Sequence, residues 1–140
     1  MGHRRAMSPD ERHRRMAAIH RENTRPEMTV RRMLWRLGAR YRLHAAELPG
    51  RPDVVMRRAR KALFVHGCLW HLHEGCPLAR VPSSRPDYWP AKLARNKERD
   101  RRNLAELRRL GWSVEVVWEC ETIKGLVLRR KLLSVKHASK

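Results

Sequence analysis

Residues 53–76 read DVVMRRARKALFVHGCLWHLHEGC, and their pattern decides the fold. Val54, Val55 and Met56 form an apolar run that opens on Asp53 and closes on the charged turn Arg57–Arg60. Lys61 to Val65 makes a second run, so 53–65 predicts a hairpin of two buried strands. From His66 to Trp89 the chain loses all periodicity and is dotted with Gly, Pro and Ser. A loop of that length inside a compact domain needs a tether or a function. Its first part holds Cys68, Cys76, His66, His71 and His73.

Working outward, Thr24-Arg25-Pro26-Glu27 has the T-x-x-E form of a capping box with Pro in the first turn. Val30, Met33, Leu34 and Leu37 then recur at helical spacing up to a stop at Gly38. Ala39 to His44 reads as a short strand, and Leu48 to Pro52 as a turn-rich link to Asp53. Residues 90–110 predict a long helix with Leu93, Leu104, Leu107 and Leu110 inward, ended by Gly111. Trp112 to Trp118 alternates as a strand. A last helix is expected from about Thr122 through Val127, Leu128, Leu132 and Leu133. The order α-β-β-β-α-β-α implies an α/β (α+β) fold, a mixed central sheet flanked by helices. There is no internal repeat.

The 140 residues suit one domain with one sizeable core. The organisation expected is a basic arm over 1–22, a single domain over 23–136 and a basic tail over 137–140, with Met7 as a second candidate start. The arm carries Arg14 and Arg15 among its six arginines and is either a segment that orders on its target or a solvated tail. No apolar run approaches the ~20 residues that span a bilayer, and the N-terminus lacks a signal-peptide core. A soluble cytosolic protein is expected. The net charge of +19 points to a polyanion. Nucleic acid is the leading partner and an anionic membrane surface the second.

Three cysteines are an odd count for a disulfide scaffold and suit metal or free thiols. Cys68-x4-His73-x2-Cys76, completed by Cys120 past the last strand, gives a Cys3His set whose soft donors suit structural Zn2+. Such a site would tether the long loop to the end of that strand. Spacing alone allows His71 in place of His73. Asp53, at a strand edge after Pro52, is a candidate ligand for a hard divalent cation, or an ordinary turn or salt-bridge residue. His66 and His71 sit beside it in the fold and offer acid–base chemistry near neutral pH. Glu27 is either the carboxylate of the capping box or a group that reaches a metal through water. The same oxygens cannot easily do both. Trp70, Tyr88 and Trp89 lie in a basic irregular region and suit either base stacking or core packing. Trp112, Trp118 and Trp35 read as structural.

With these residues in view, the sequence resembles the very-short-patch repair (Vsr) endonucleases. The resemblance rests on Leu48–Asp53, Phe64–His71, Arg95–Asp100, Gly111-Trp112 and Val117–Cys120, with Arg15-Met16, Ile19 and Thr24-x-x-Glu27 upstream. It implies a PD-(D/E)xK-like nuclease fold with a modified site, and a Mg2+-dependent, strand-specific nick 5′ to the T of a T:G mismatch left by 5-methylcytosine deamination. It makes Asp53 the main metal ligand, with the Val65 backbone carbonyl beside it. His71 becomes the water-activating base, with His66 assisting at the phosphate and Glu27 acting through water. Cys68, His73, Cys76 and Cys120 match the zinc set, and Leu69, Trp70 and Trp89 match groups that wedge into DNA. Val65 stands where Thr is common, which a backbone ligand tolerates. Leu69 stands where Phe is common and stacks less well. The partner implied is mismatched double-stranded DNA in a bacterial, nucleoid-associated setting, with MutL-like repair proteins as further candidates. A monomer is expected, since a nick needs one active site.

Two other functions fit part of the pattern. A zinc-stapled DNA-binding module without catalysis explains the charge and the Cys3His set but leaves Asp53, His66 and His71 without a shared role. A restriction-type nuclease of the same fold would differ only in its DNA target.

Overall fold

The computed structural model describes residues 23–137. The arm with Arg14 and Arg15, and residues 138–140, lie outside the described residues. Helix α1 (Arg25–Arg36) starts where the capping signal put it: the Thr24 hydroxyl accepts the Glu27 N–H at 3.3 Å, and Glu27 Oε2 accepts the Asn23 N–H at 2.8 Å. Gly38 ends it at φ 74°, with Gly38 N–H bonded to Trp35 O and Ala39 N–H to Leu34 O, the two bonds of a Schellman motif. Helix α2 (Trp89–Arg109) closes the same way on Gly111, at φ 90°.

Four strands form one mixed sheet in the order β1 (Arg42–Leu43), β2 (Val54–Met56), β3 (Lys61–His66), β4 (Ser113–Trp118). The β2–β3 hairpin is antiparallel and pairs Val54 with Leu63. Strand β4 runs parallel to β3, with His66 opposite Trp118, and α2 supplies the crossover between them. Helix α3 (Glu119–Thr122) is a single turn, and α4 (Gly125–His137) follows it.

The sheet is buried on both faces, which is why its central strands read as continuous apolar runs rather than alternating ones. Val54, Met56, Leu63 and Val117 pack on one face against Val30 and Leu34 of α1 and Leu128 and Leu132 of α4. Val55, Ala62 and Phe64 pack on the other face against Leu107 of α2.

Four expectations need correction. The strand over 39–44 shrinks to two residues, because His44 takes a positive φ of 47° and breaks the extended run. The last helix begins at Gly125 rather than Thr122, because the chain first makes the separate turn that carries Cys120. Leu110 is 41% exposed, since it caps α2 instead of continuing its inward stripe. Trp35 is 77% exposed, one position off the face that carries Leu34, so it is no core residue.

Candidate active site and metal centre

The C-terminal end of β3 opens into a cleft of about 1050 Å³. Its walls include Glu27, His44, Asp53, His66, His71 and Asp100, with Arg51 and Arg99 at hand. The hairpin register brings Asp53 beside β3, where Asp53 Oδ2 accepts the Val65 N–H at 2.7 Å. Burial pushes the Asp53 carboxyl up to about 6 and the nearby Glu27 charge adds to this, against the Val65 hydrogen bond and the two histidines His44 and His71. A carboxylate held this way gains from a cation in the cleft.

His71 Nδ1 is hydrogen-bonded to Asp100 on α2. That contact fixes the ring and sets the basic lone pair on Nε2. The His66 ring lies flat on His71, with centroids 3.8 Å apart and planes 6° apart, and meets Trp118 edge-on at 5.3 Å. The atoms of His66, His71 and Asp100 lie within 4.8 Å of one another, as do those of Glu27, His44 and Asp53. His71 turns to Asp100, and His73 groups with the cysteines.

Cys68, His73, Cys76 and Cys120 converge with all four donor atoms within 4.8 Å of one another. His73 Nδ1 lies 3.6 Å from Cys68 Sγ and 3.5 Å from Cys120 Sγ. A tetrahedron with metal bonds of about 2.1–2.3 Å has edges of about 3.5–3.8 Å, so the set has the size of a closed metal site. Burial pushes the Cys68 thiol up to about 12. A thiol in such surroundings ionises when a cation shares its site. Trp118 stacks on the back of His73 at 4.1 Å and 7°. The cluster brings the long loop to α3, where the Cys120 N–H donates to Cys68 Sγ at 3.4 Å.

Glu27 splits its oxygens between protein partners: Oε2 accepts the Asn23 N–H, one residue before the Thr24 cap, and Oε1 faces His44 and Arg31. Burial works against its charge, but His44 and Arg31 outweigh that and hold its carboxyl below the usual range. Leu69 and Trp70 line the cleft. Trp70 and Trp89 are nonetheless packed on each other and on Leu93, and the Trp70 carbonyl accepts from Asn96 Nδ2 at 3.2 Å.

Two residues of the site were not singled out from sequence, Asp100 and His44. Asp100 had a signal. Leu93, Asn96, Asp100, Asn103 and Leu107 repeat at three- and four-residue steps, and three polar residues on the inward stripe of a helix mark a site. His44 had none, because it stands at the end of a two-residue strand.

The profile of the DNA mismatch endonuclease Vsr family matches residues 5–77. The chain is 49% identical to the type II nicking enzyme V.XorIIP of Xanthomonas oryzae over 95% of its own length and 97% of that protein. It is 43% identical to the DNA mismatch endonuclease Vsr of Escherichia coli, over 78% and 69% of the two chains. Against the type II nicking enzyme V.NmeAIP of Neisseria meningitidis the identity is 39%, over 84% and 83%. The chain belongs to the Vsr family. It is a DNA nicking endonuclease, and no helix among the described residues is long and apolar enough to cross a membrane. The cleft at the end of β3 and the Cys/His cluster share the loop that carries His71 and His73.

Proposed function

We propose that the chain hydrolyses the phosphodiester 5′ to the T of a T:G mismatch, the lesion that deamination of 5-methylcytosine leaves. The carrying observation is the pairing across one cleft of a half-buried Asp53, its carboxyl pushed up to about 6, with a His71 held by Asp100. The hairpin that presents Asp53 at the start of an inner strand of a mixed sheet supports a PD-(D/E)xK-like reading of the fold.

Asp53 and the Val65 carbonyl would hold Mg2+, which when bound supplies charge stabilisation at the phosphate and the leaving 3′ oxygen. His71 takes the proton of the attacking water through Nε2. Asp100 steadies the imidazolium that forms and keeps the ring in line. His66, stacked on His71, lends its ring nitrogen to the phosphate. Arg51 and Arg99 line the same cleft and meet the backbone charge of the DNA. The P–O3′ bond breaks, leaving a 5′ phosphate on the T and a 3′ hydroxyl on its neighbour. Leu69 reaches the bases from the cleft wall, and Trp70 and Trp89 must leave their packing on Leu93 to join it. Arg14 and Arg15 of the arm add phosphate contacts. The Cys3His cluster would hold structural Zn2+, which its thiol-rich donor set and the two His73–Cys separations of tetrahedral size support. MutL-like repair proteins are further partners of this role.

Asp53→Ala tests the assignment. Nicking should fall to background while binding of the mismatched duplex stays within a few-fold. Full nicking by that variant would remove Asp53 from the chemistry. A second reading keeps the nuclease and changes its target, and it draws on relatives whose names are those of type II nicking enzymes. Cutting of fully paired DNA would favour it.

A further inference from the structure

The chain leaves β3 in one tight turn from Gly67 to His73. The His71 N–H donates to the Gly67 carbonyl at 3.2 Å, the Leu72 N–H to the Leu69 carbonyl at 3.2 Å, and the His73 N–H to the Cys68 carbonyl at 2.9 Å. The last two are the bonds of a Schellman motif, the same pair that ends α1 and α2. In those two helices the left-handed place belongs to Gly38 and Gly111, whereas here it belongs to Leu72, at φ 46°. A Cβ makes that conformation costly, and a bulky side chain makes it rare. The Leu72 side chain is half-buried and packs on the cluster of Trp70, Trp89 and Leu93, which offsets the cost.

The motif sorts the two histidines on either side of Leu72. A Schellman motif brings together the side chains of its first and last residues, usually as an apolar contact. Here those residues are Cys68 and His73, and their Sγ and Nδ1 lie 3.6 Å apart within the metal cluster. His71, just before the left-handed residue, is directed to Asp100 of α2 instead. An extended backbone at residue 72 would put His71 and His73 on one face, because side chains two apart share a face of a strand.

We infer that Leu72 is a positioning residue: its packing on Trp70, Trp89 and Leu93 holds a left-handed hinge that sends His71 to the cleft and His73 to the metal cluster. The inference rests on the reading that His71 is the base and that the Cys/His cluster takes zinc.

The test is a substitution series at residue 72 in the full chain. It reads kcat and KM on the T:G duplex, and zinc affinity by competition with a chromophoric chelator. Backbone conformation and side-chain bulk demand opposite orders. Glycine takes the left-handed position freely, alanine less so, and β-branched valine worst. Leu72→Gly should stay within about fivefold of wild type in kcat and in zinc affinity, Leu72→Ala should lose more, and Leu72→Val should lose at least about tenfold in both, with KM nearly unchanged throughout. Packing alone would put valine nearest to wild type and glycine furthest. That reverse order, or equal values across the series, would overturn the inference, and so would a kcat that ignores an order the zinc affinity follows. If Leu72→Val does not fold, alanine against glycine carries the same contrast. No nicking by wild type, or full nicking by His71→Ala, would overturn the reading of the active site instead, and the order of zinc affinities would then decide the hinge on its own.

Discussion

Asp53 shows how the site trades stability for chemistry. Its carboxyl titrates at about 6 in the fold against an ordinary value of 3.8. The folded state therefore favours the neutral acid, and stability is lost as the pH rises from about 4 to about 6. Each unit corresponds to about 1.4 kcal/mol, and partial exposure discounts the total. Asp53→Asn should raise the stability of the Mg2+-free protein at pH 7.5 by about 1–3 kcal/mol in a urea titration, while at pH 4 the two should nearly coincide. A loss of stability at pH 7.5 would show that the charge is welcome without a cation. Proton and cation compete for this carboxylate, so the acid limb of the nicking profile should lie near pH 6 at low Mg2+ and move down as Mg2+ is raised. A limb independent of Mg2+ would locate it elsewhere. Asp100→Asn keeps the shape of the His71 contact but removes the charge that steadies an imidazolium. It should lower kcat by about 10–100-fold with KM nearly unchanged, a part of the roughly 10²–10⁴-fold that a general base contributes in full. An unaltered kcat would make the contact merely structural.

The elements were legible in the sequence wherever periodicity or a cap was strong. The Thr24 cap, the Gly38 and Gly111 stops and the β2–β3 hairpin all lie within a residue or two of their expected places. What failed did so for local physical reasons. A two-residue edge strand ended by a left-handed His44 leaves no run to read, and α3 is a single turn held by Glu121 on the Trp118 N–H and by Thr122 on the Glu119 carbonyl, too short for periodicity to show. On α2 the apolar count misled at one place only. Leu107 is fully buried against the sheet and Leu110 is exposed at the cap. Leu107→Ala should cost about 2–5 kcal/mol, and Leu110→Ala less than about 1 kcal/mol. Equal losses would mean that α2 is rotated relative to this packing. The site was legible in part. Residue type and spacing made Asp53, His66, His71 and the Cys3His set candidates, and only the family resemblance gave each a role. The Asp100 clamp and the Arg31–Glu27–His44 contacts join segments far apart in the chain, and no single stretch announces them.

At the scale of the molecule, the Cys/His cluster connects the long loop, which carries His71, to the turn after β4. The loop has few other anchors, among them the packing of Trp70 on Trp89 and Leu93. Stripping the metal should lower the melting temperature by about 10 °C or more and abolish nicking together with it. An unchanged melting temperature after verified removal would contradict the structural role. The positive charge is spread over the whole chain, and the arm contributes a share of it. Deleting residues 1–20 should weaken DNA binding and flatten its dependence on salt, with the chemistry at saturation preserved. An unchanged slope would make the arm a passive tail. The most direct test of mismatch nicking is a single assay with Mg2+ on two short duplexes that differ only in a central T:G or T:A pair, in a CC(A/T)GG context. Nicking of the T strand of the T:G duplex alone, 5′ to that T, is the expected result. Equal cutting of both duplexes, or cutting of neither under conditions of tight binding, would contradict it.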